Sequence, residues 1–208
     1  MKSPYIIGVT GGSGSGKTTF IEQIRAVFSD KELCIISQDD YYLPKEQQKE
    51  DKNGVINFDL PKSIDKESFV RDIQLLSSGH QVSRPQYTFN NDEAESKMLT
   101  FSPAPVIVVE GLFIFHFKKI KKLCDLKVFF HAKENLKVIR RIKRDKISRN
   151  YPLDDVLYRY EMHVLPAFEK YILPHREKAD LVINNNKNFE AGFQVMESYI
   201  KSVLDRKE

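Results

Sequence analysis

Gly11-Gly12-Ser13-Gly14-Ser15-Gly16-Lys17-Thr18 fits the phosphate-loop pattern G-x-x-x-x-G-K-[ST], with Gly11, Gly16, Lys17 and Thr18 at the fixed positions. Small residues let successive backbone N–H groups turn inward around anionic oxygens. Lys17 adds a mobile positive charge for the terminal phosphates, and the Thr18 hydroxyl is placed to ligate magnesium. A helix starting here points its positive end at the same phosphates. The motif predicts a nucleoside triphosphate site and leaves the reaction open. A glycine–serine turn matching by chance is the competing reading, and the flanking residues argue against it. Tyr5–Thr10 is an apolar run that stops at the loop, and Phe20, Ile21, Ile24, Val27 and Phe28 follow at helical spacing.

Acidic residues stand at the ends of two further apolar runs. Leu33–Ser37 empties into Gln38-Asp39-Asp40, where a carboxylate could take a proton from an attacking hydroxyl, hold magnesium, or merely cap a turn. At this level Asp39 and Asp40 are equivalent. Val106-Ile107-Val108-Val109-Glu110 ends in a carboxylate that must meet a cation or hydrogen-bond donors if it is buried, which favours magnesium over a structural acid. Between residues 137 and 149, Lys137, Arg140, Arg141, Lys143, Arg144, Lys146 and Arg149 stand against Asp145, interleaved with Leu136, Ile139, Ile142 and Ile147. A solvated amphipathic helix and a nucleic-acid patch are both readings of this run. No aromatic residue lies inside it for base stacking. Beside a phosphate loop, a lid whose arginines neutralise a transferring phosphoryl group is preferred.

The elements that must position these groups alternate. Strands are expected at Tyr5–Thr10, Leu33–Ser37, Val106–Glu110, Leu126–His131 and Leu181–Ile183. Helices are expected at Lys17–Ser29, Asp65–Ser78, Lys133–Asp145, Leu153–Val164 and Asn188–Lys207, with Gly79 as a stop signal. Alternation of this kind predicts an α/β fold with a parallel sheet. Two polar, proline-broken stretches interrupt it. Residues 40–63 contain Pro44, Gly54 and Pro61. Residues 80–105 surround Tyr87-Thr88-Phe89 and Met98–Phe101, and suggest an inserted hairpin. Ligands bind beyond the carboxyl ends of strands in such sheets, so either excursion could close over a substrate.

Composition sets the frame. The chain has 208 residues, 41% hydrophobic and 30% charged, with a net charge of +4, as expected for one soluble domain spanning 1–208. A charge this mild needs no nucleic-acid partner. No apolar run approaches the roughly 18 residues that would cross a bilayer. A phosphate loop beginning at residue 11 argues against a signal peptide, so the expected compartment is the cytoplasm. Cys34 and Cys124 sit in or beside apolar segments and are expected to be buried thiols.

In order and spacing the chain resembles the uridine/cytidine kinase family of the phosphoribulokinase–uridine kinase group, from Ile6 to about Asn188. The resemblance rests on Gly11–Thr19, Ser37-Gln38-Asp39-Asp40-Tyr41-Tyr42, Asn57-Phe58-Asp59-Leu60-Pro61, Pro85-Gln86-Tyr87, Val109-Glu110-Gly111, Arg140–Asp145, and Pro166-Ala167-Phe168 through Ala179-Asp180. It implies a P-loop NTPase three-layer fold with a five-stranded parallel sheet. A substrate hairpin at about 80–105 and an arginine-rich helical lid at about 140–165 are implied as well. It further implies ATP as co-substrate, with the γ-phosphate passing to the 5′-hydroxyl of uridine or cytidine. Residues 11–19, with Arg144 and Arg149, would bind ATP. Thr18, Asp39 and Glu110 would hold Mg2+, and Asp39 rather than Asp40 would be the base. Tyr42, Phe58, Asp59, Tyr87, Phe89 and Arg141 would line the acceptor pocket, Asp59 and Arg141 holding the ribose hydroxyls. A homo-oligomer, commonly a tetramer, would also be implied.

The sequence departs from the family pattern on the acceptor side. Asp92 stands where a base-reading histidine is usual, Ala94 replaces an arginine, and Tyr151 takes the second arginine position of the lid. Arg159 replaces a ribose-binding glutamine, and the adenine loop near Asn184–Asn188 is short. Asp92 could accept from an exocyclic amine and so favour cytidine. Arg159 could instead suit an acceptor bearing a carboxylate or phosphate. Asp92 and Arg159 therefore join the acceptor residues. The alternatives are a kinase of the same group acting on another hydroxylated metabolite and, more remotely, a nucleotide-binding regulator.

Overall fold

The computed structural model describes residues 3–88, 97–148 and 151–206. Five strands, β1 (Tyr5–Gly11), β2 (Leu33–Ser37), β7 (Val106–Glu110), β8 (Leu126–His131) and β9 (Leu181–Asn184), form one sheet in the order β2-β7-β1-β8-β9. All four pairings are parallel. Such a sheet must be covered on both faces, and the side-chain alternation of each strand divides accordingly. Ile6, Cys34, Ile36, Ile107, Val109 and Phe129 pack on one face with Phe69 and Ile73 of α2 (Lys66–Ser77). Ile7, Val9, Leu33, Ile35, Val106, Val108, Val128 and Phe130 pack on the other with Phe20 and Ile24 of α1 (Lys17–Val27) and Met196 and Ile200 of α7 (Glu190–Asp205). Cys34 and Cys124 are buried free thiols.

The expected strands and helices form with small changes at their ends. Asp65 caps α2 by accepting from the Ser68 N–H at 3.0 Å, and Gly79 follows the helix with φ +85°. The Leu153 helix runs further than its periodicity suggested. After α5 (Leu153–Arg159) it continues through a π turn (Tyr160–Val164), α6 (Leu165–Ala167), a second π turn (Phe168–Ile172) and a 3-10 stretch (Leu173–Lys178). A short α3 (Lys118–Leu123) was not expected. No helix among the described residues is long and apolar enough to cross a membrane.

Both excursions contain strands. The hairpin pairs β5 (Val82–Pro85) with β6 (Met98–Phe101) in antiparallel register, so its first strand ends before Tyr87. Val82 is the buried apolar anchor of that strand, which no neighbouring hydrophobic residue advertises. Residues 40–63, read from sequence only as a polar stretch, hold a small ribbon of β3 (Lys49–Glu50) and β4 (Ile56–Asn57).

Candidate active site

Strand register brings the chemistry to one edge. Val9 lies beside Glu110 in the β1–β7 pair, and Ser37 beside Glu110 in the β2–β7 pair. The phosphate loop, the Asp39 turn and the end of β7 therefore leave the sheet together, where open α/β sheets bind ligands. They share a cavity of about 380 Å³, lined by residues of the phosphate loop, the strand ends and α4 (Glu134–Ser148), and by Tyr42, Phe58, Asp59, Tyr151 and Arg159. This is the size of an ordinary small-molecule site.

Gly14 and Gly16 carry φ of +77° and +102°, conformations that favour glycine. A Cβ on Gly14 would meet the Lys137 carbonyl oxygen at 2.6 Å, so α4 packs directly against the loop. The Asn185 amide braces it from just past the end of β9, donating to the Ser15 carbonyl at 2.9 Å. Lys17 is buried and donates to the Gly11 carbonyl at 2.9 Å. Burial lowers its pKa, against the opposing pull of Glu110 and Asp39. Ser13, Gly14, Gly16, Lys17, Thr18 and Thr19 face the cavity, while Gly11, Gly12 and Ser15 build the loop behind them.

Two acids meet across one serine. Ser37 accepts from the Asp39 N–H at 3.1 Å and donates to Glu110 Oε1. Burial first, and Asp39's charge second, push the Glu110 carboxyl up to about 7. Asp39 lines the cavity with Glu110 and Thr18. Asp40 does not, and it is held by the Tyr87 backbone with its pKa raised by burial and by Asp39. Geometry thus separates two residues that sequence physics left equivalent. Thr18, Asp39 and Glu110 offer only hard oxygen donors, a set that fits a magnesium-like cation.

The basic run of α4 does not pack as its apolar residues suggested. Ile139 is 48% exposed, whereas Lys137, Arg141 and Asp145 are 3, 7 and 2% exposed. Positions 137, 141 and 145 form one i, i+4 stripe, and this charged stripe is the buried face. Lys137 sits over the Phe168 ring at 3.3 Å and pairs with Glu134 at 2.7 Å. Asp145 pairs with Arg141 at 3.1 Å and Arg144 at 2.8 Å, which orients both guanidinium groups. Arg141 also donates to Ser13 Oγ at 3.1 Å and lies 4.0 Å from Asp59. Arg140, Arg141 and Arg144 all reach the cavity.

Tyr42, Phe58 and Tyr151 add aromatic lining. The Tyr42 ring lies 6.2 Å from Phe58 and 5.4 Å from Tyr87. Among the described residues Tyr87 is not on the cavity surface, so it supports Tyr42 rather than facing the space directly. Arg159 donates to the Ile56 carbonyl at 3.0 Å. Phe89, Asp92 and Arg149 lie outside the described residues. Sequence reasoning missed Ser37, Asn185 and Asp145 as parts of the site. Ser37 could have been found from its place two residues before Asp39, where a serine hydroxyl accepts from the backbone. Asn185 acts only through a long-range contact, whereas the i, i+4 spacing of Arg141 and Asp145 could have marked Asp145 as the partner of the arginines.

Residues 6–190 match the phosphoribulokinase / uridine kinase family. The chain is 31% identical over 203 residues to a uridine kinase of Lactiplantibacillus plantarum, covering 98% of this chain and 97% of the relative. It is 32% identical over 207 residues to uridine-cytidine kinase B of Dictyostelium discoideum, covering 100% and 85%. The fold superposes on phosphoribulokinase from Rhodobacter spheroides with a TM-score of 0.63 at 20% identity, over 88% of this chain and 71% of the other. With a phosphate loop, paired acids and converging arginines at the strand ends of the fold these proteins share, the chain is a kinase and belongs to the phosphoribulokinase / uridine kinase family.

Proposed function

We propose that this kinase transfers the γ-phosphate of ATP, with magnesium, to the 5′-hydroxyl of uridine or cytidine. The observation that carries the reading is the shared cavity. Phosphate-binding residues Lys17 and Thr18, the acids Asp39 and Glu110, and the aromatic and polar residues Tyr42, Phe58, Asp59 and Arg141 open onto one space. The names and near-complete coverage of the relatives point the same way.

Asp39 takes or orients the proton of the attacking hydroxyl. Thr18, Asp39 and Glu110 would hold magnesium, which would supply positive charge beside the phosphates. Lys17 leaves the Gly11 carbonyl for the phosphates. Arg144, set by Asp145, offers its guanidinium to the transferring group, with Arg149 as a further lid residue. Asp59 and Arg141 hold ribose hydroxyls, while Tyr42 and Phe58, backed by Tyr87, bound the sugar and base. Phe89 and Asp92 would complete the base end. Positioning and fixed charge do most of the work in such a reaction.

The test is acceptor-dependent ADP release over a panel of nucleosides and acidic alcohols, with magnesium present. Turnover with uridine or cytidine is the expected result. Turnover with acidic alcohols alone would transfer the assignment to Arg159 and a different acceptor class.

A further inference from the structure

The β3–β4 ribbon leads directly into Phe58 and Asp59, yet the central sheet does not hold it. Its turn is closed by Asp51, whose Oδ1 accepts from the Asn53 and Val55 N–H groups at 2.8 and 3.0 Å. Gly54, at φ +76°, completes the reversal. The other carboxylate oxygen points away from the turn. Oδ2 accepts from the Tyr158 hydroxyl at 2.7 Å and lies 2.7 Å from Nε2 of buried His163. The Asn53 amide donates to the same Tyr158 hydroxyl at 2.7 Å, and Arg159 donates to the Ile56 carbonyl. One carboxylate thus folds the ribbon with one oxygen and fastens it to the Leu153–Val164 helical segment with the other.

We propose that Asp51 is a positioning residue for the phosphoryl acceptor, clasping the ribbon that presents Phe58 and Asp59 to the helical segment that carries Arg159. The idea rests on the acceptor reading given above, because Phe58, Asp59 and Arg159 all line the cavity. Tyr158, His163 and the two turn amides are all donors, so a carboxylate serves all four where an amide would turn an N–H group toward one pair. The same contacts, the Tyr158 hydrogen bond first, hold the Asp51 carboxyl below the usual carboxylate range. Among the described residues, the hydrogen bonds that would still tie the ribbon to the segment without Asp51 are those of Arg159 and Asn53. Phe58 and Asp59 then sample wider positions, whereas the phosphate loop, braced by α4 and Asn185, is untouched.

Asp51→Ala and the milder Tyr158→Phe, which keeps the ring, test this together. Asp51→Ala is expected to raise KM for uridine about tenfold, leave KM for ATP within about twofold, and remove amide exchange protection across residues 49–57 of the nucleotide-free protein. Tyr158→Phe should move both readouts the same way by less. An equal rise in both KM values, or an unchanged KM for uridine, overturns the positioning role. Should the wild-type protein turn over neither uridine nor cytidine, the acceptor reading fails by itself. The exchange measurement then decides the clasp, and unchanged protection in Asp51→Ala overturns it.

Discussion

The two sides of the cavity are built on different principles. The phosphate side is a contiguous stretch, residues 11–19, held between β1 and α1 and braced by Asn185 and α4. Its polar groups are main-chain amides and one buried ammonium, so its geometry follows from backbone conformation. The aromatic side takes Tyr42, Phe58, Asp59, Tyr151 and Arg159 from distant segments, and its geometry follows from side-chain contacts between excursions. A site of the first kind tolerates little change in type. One of the second kind can be retuned residue by residue, and two departures from the family pattern, Tyr151 and Arg159, lie on it.

The strongest way to break this contrast is Asp39→Asn. It should leave ATP binding intact and reduce kcat by about 10²–10⁴-fold, measured at steady state with both substrates saturating. Near-normal turnover would remove Asp39 from the proton-handling role and leave the two sides without a shared reacting group.

Asp145→Ala tests how the sides are coupled. Arg141 would lose its main partner while buried, and Arg144 its orientation. A stability loss of about 3 kcal/mol by urea denaturation is expected, with turnover down by about 10–100-fold. A stability loss alone would show that Arg144 does not serve the transferring phosphate.

Phe58→Ala should sharpen the contrast by affecting one side only. Losing its apolar surface is expected to raise KM for the nucleoside about tenfold with KM for ATP unchanged. Equal effects on both would mean that the sides are not separable.

The smallest effect concerns protons. With no cation bound, the folded Glu110 carboxyl titrates near 7, above its ordinary value. An acid raised on folding stabilises the folded chain below its ordinary pKa, and that contribution is lost as pH rises to about 7. A cation needs the ionised form. Magnesium–nucleotide binding between pH 6 and 7 should therefore release a fraction of a proton, seen by calorimetry in buffers of different ionisation enthalpy. Glu110→Gln should abolish the release.

Local signals carried the core elements. Apolar runs ending in Gly11, Asp39 and Glu110 announced both the strands and the site. Asp65 and Gly79 marked a helix start and stop through capping chemistry that acts within a few residues. The β3–β4 ribbon escaped because its strands are two residues long and its stability comes from Tyr158 and His163, a hundred residues away. The hairpin was visible within residues 80–105, but the bounds of its first strand were not, since a buried Val82 beside Ser83 and Arg84 gives almost no periodic signal.

The amino-acid order alone determined the phosphate loop, the fold class and the acids at the strand ends, because backbone conformation and two-residue alternation depend on near neighbours. Tertiary structure decided that Asp39 rather than Asp40 faces the cavity and that α4 buries a charged stripe instead of Ile139. It also decided that Asp51 reaches across to His163. Those outcomes depend on which surfaces meet after folding, and burying a charge becomes tolerable only when a partner is there to receive it.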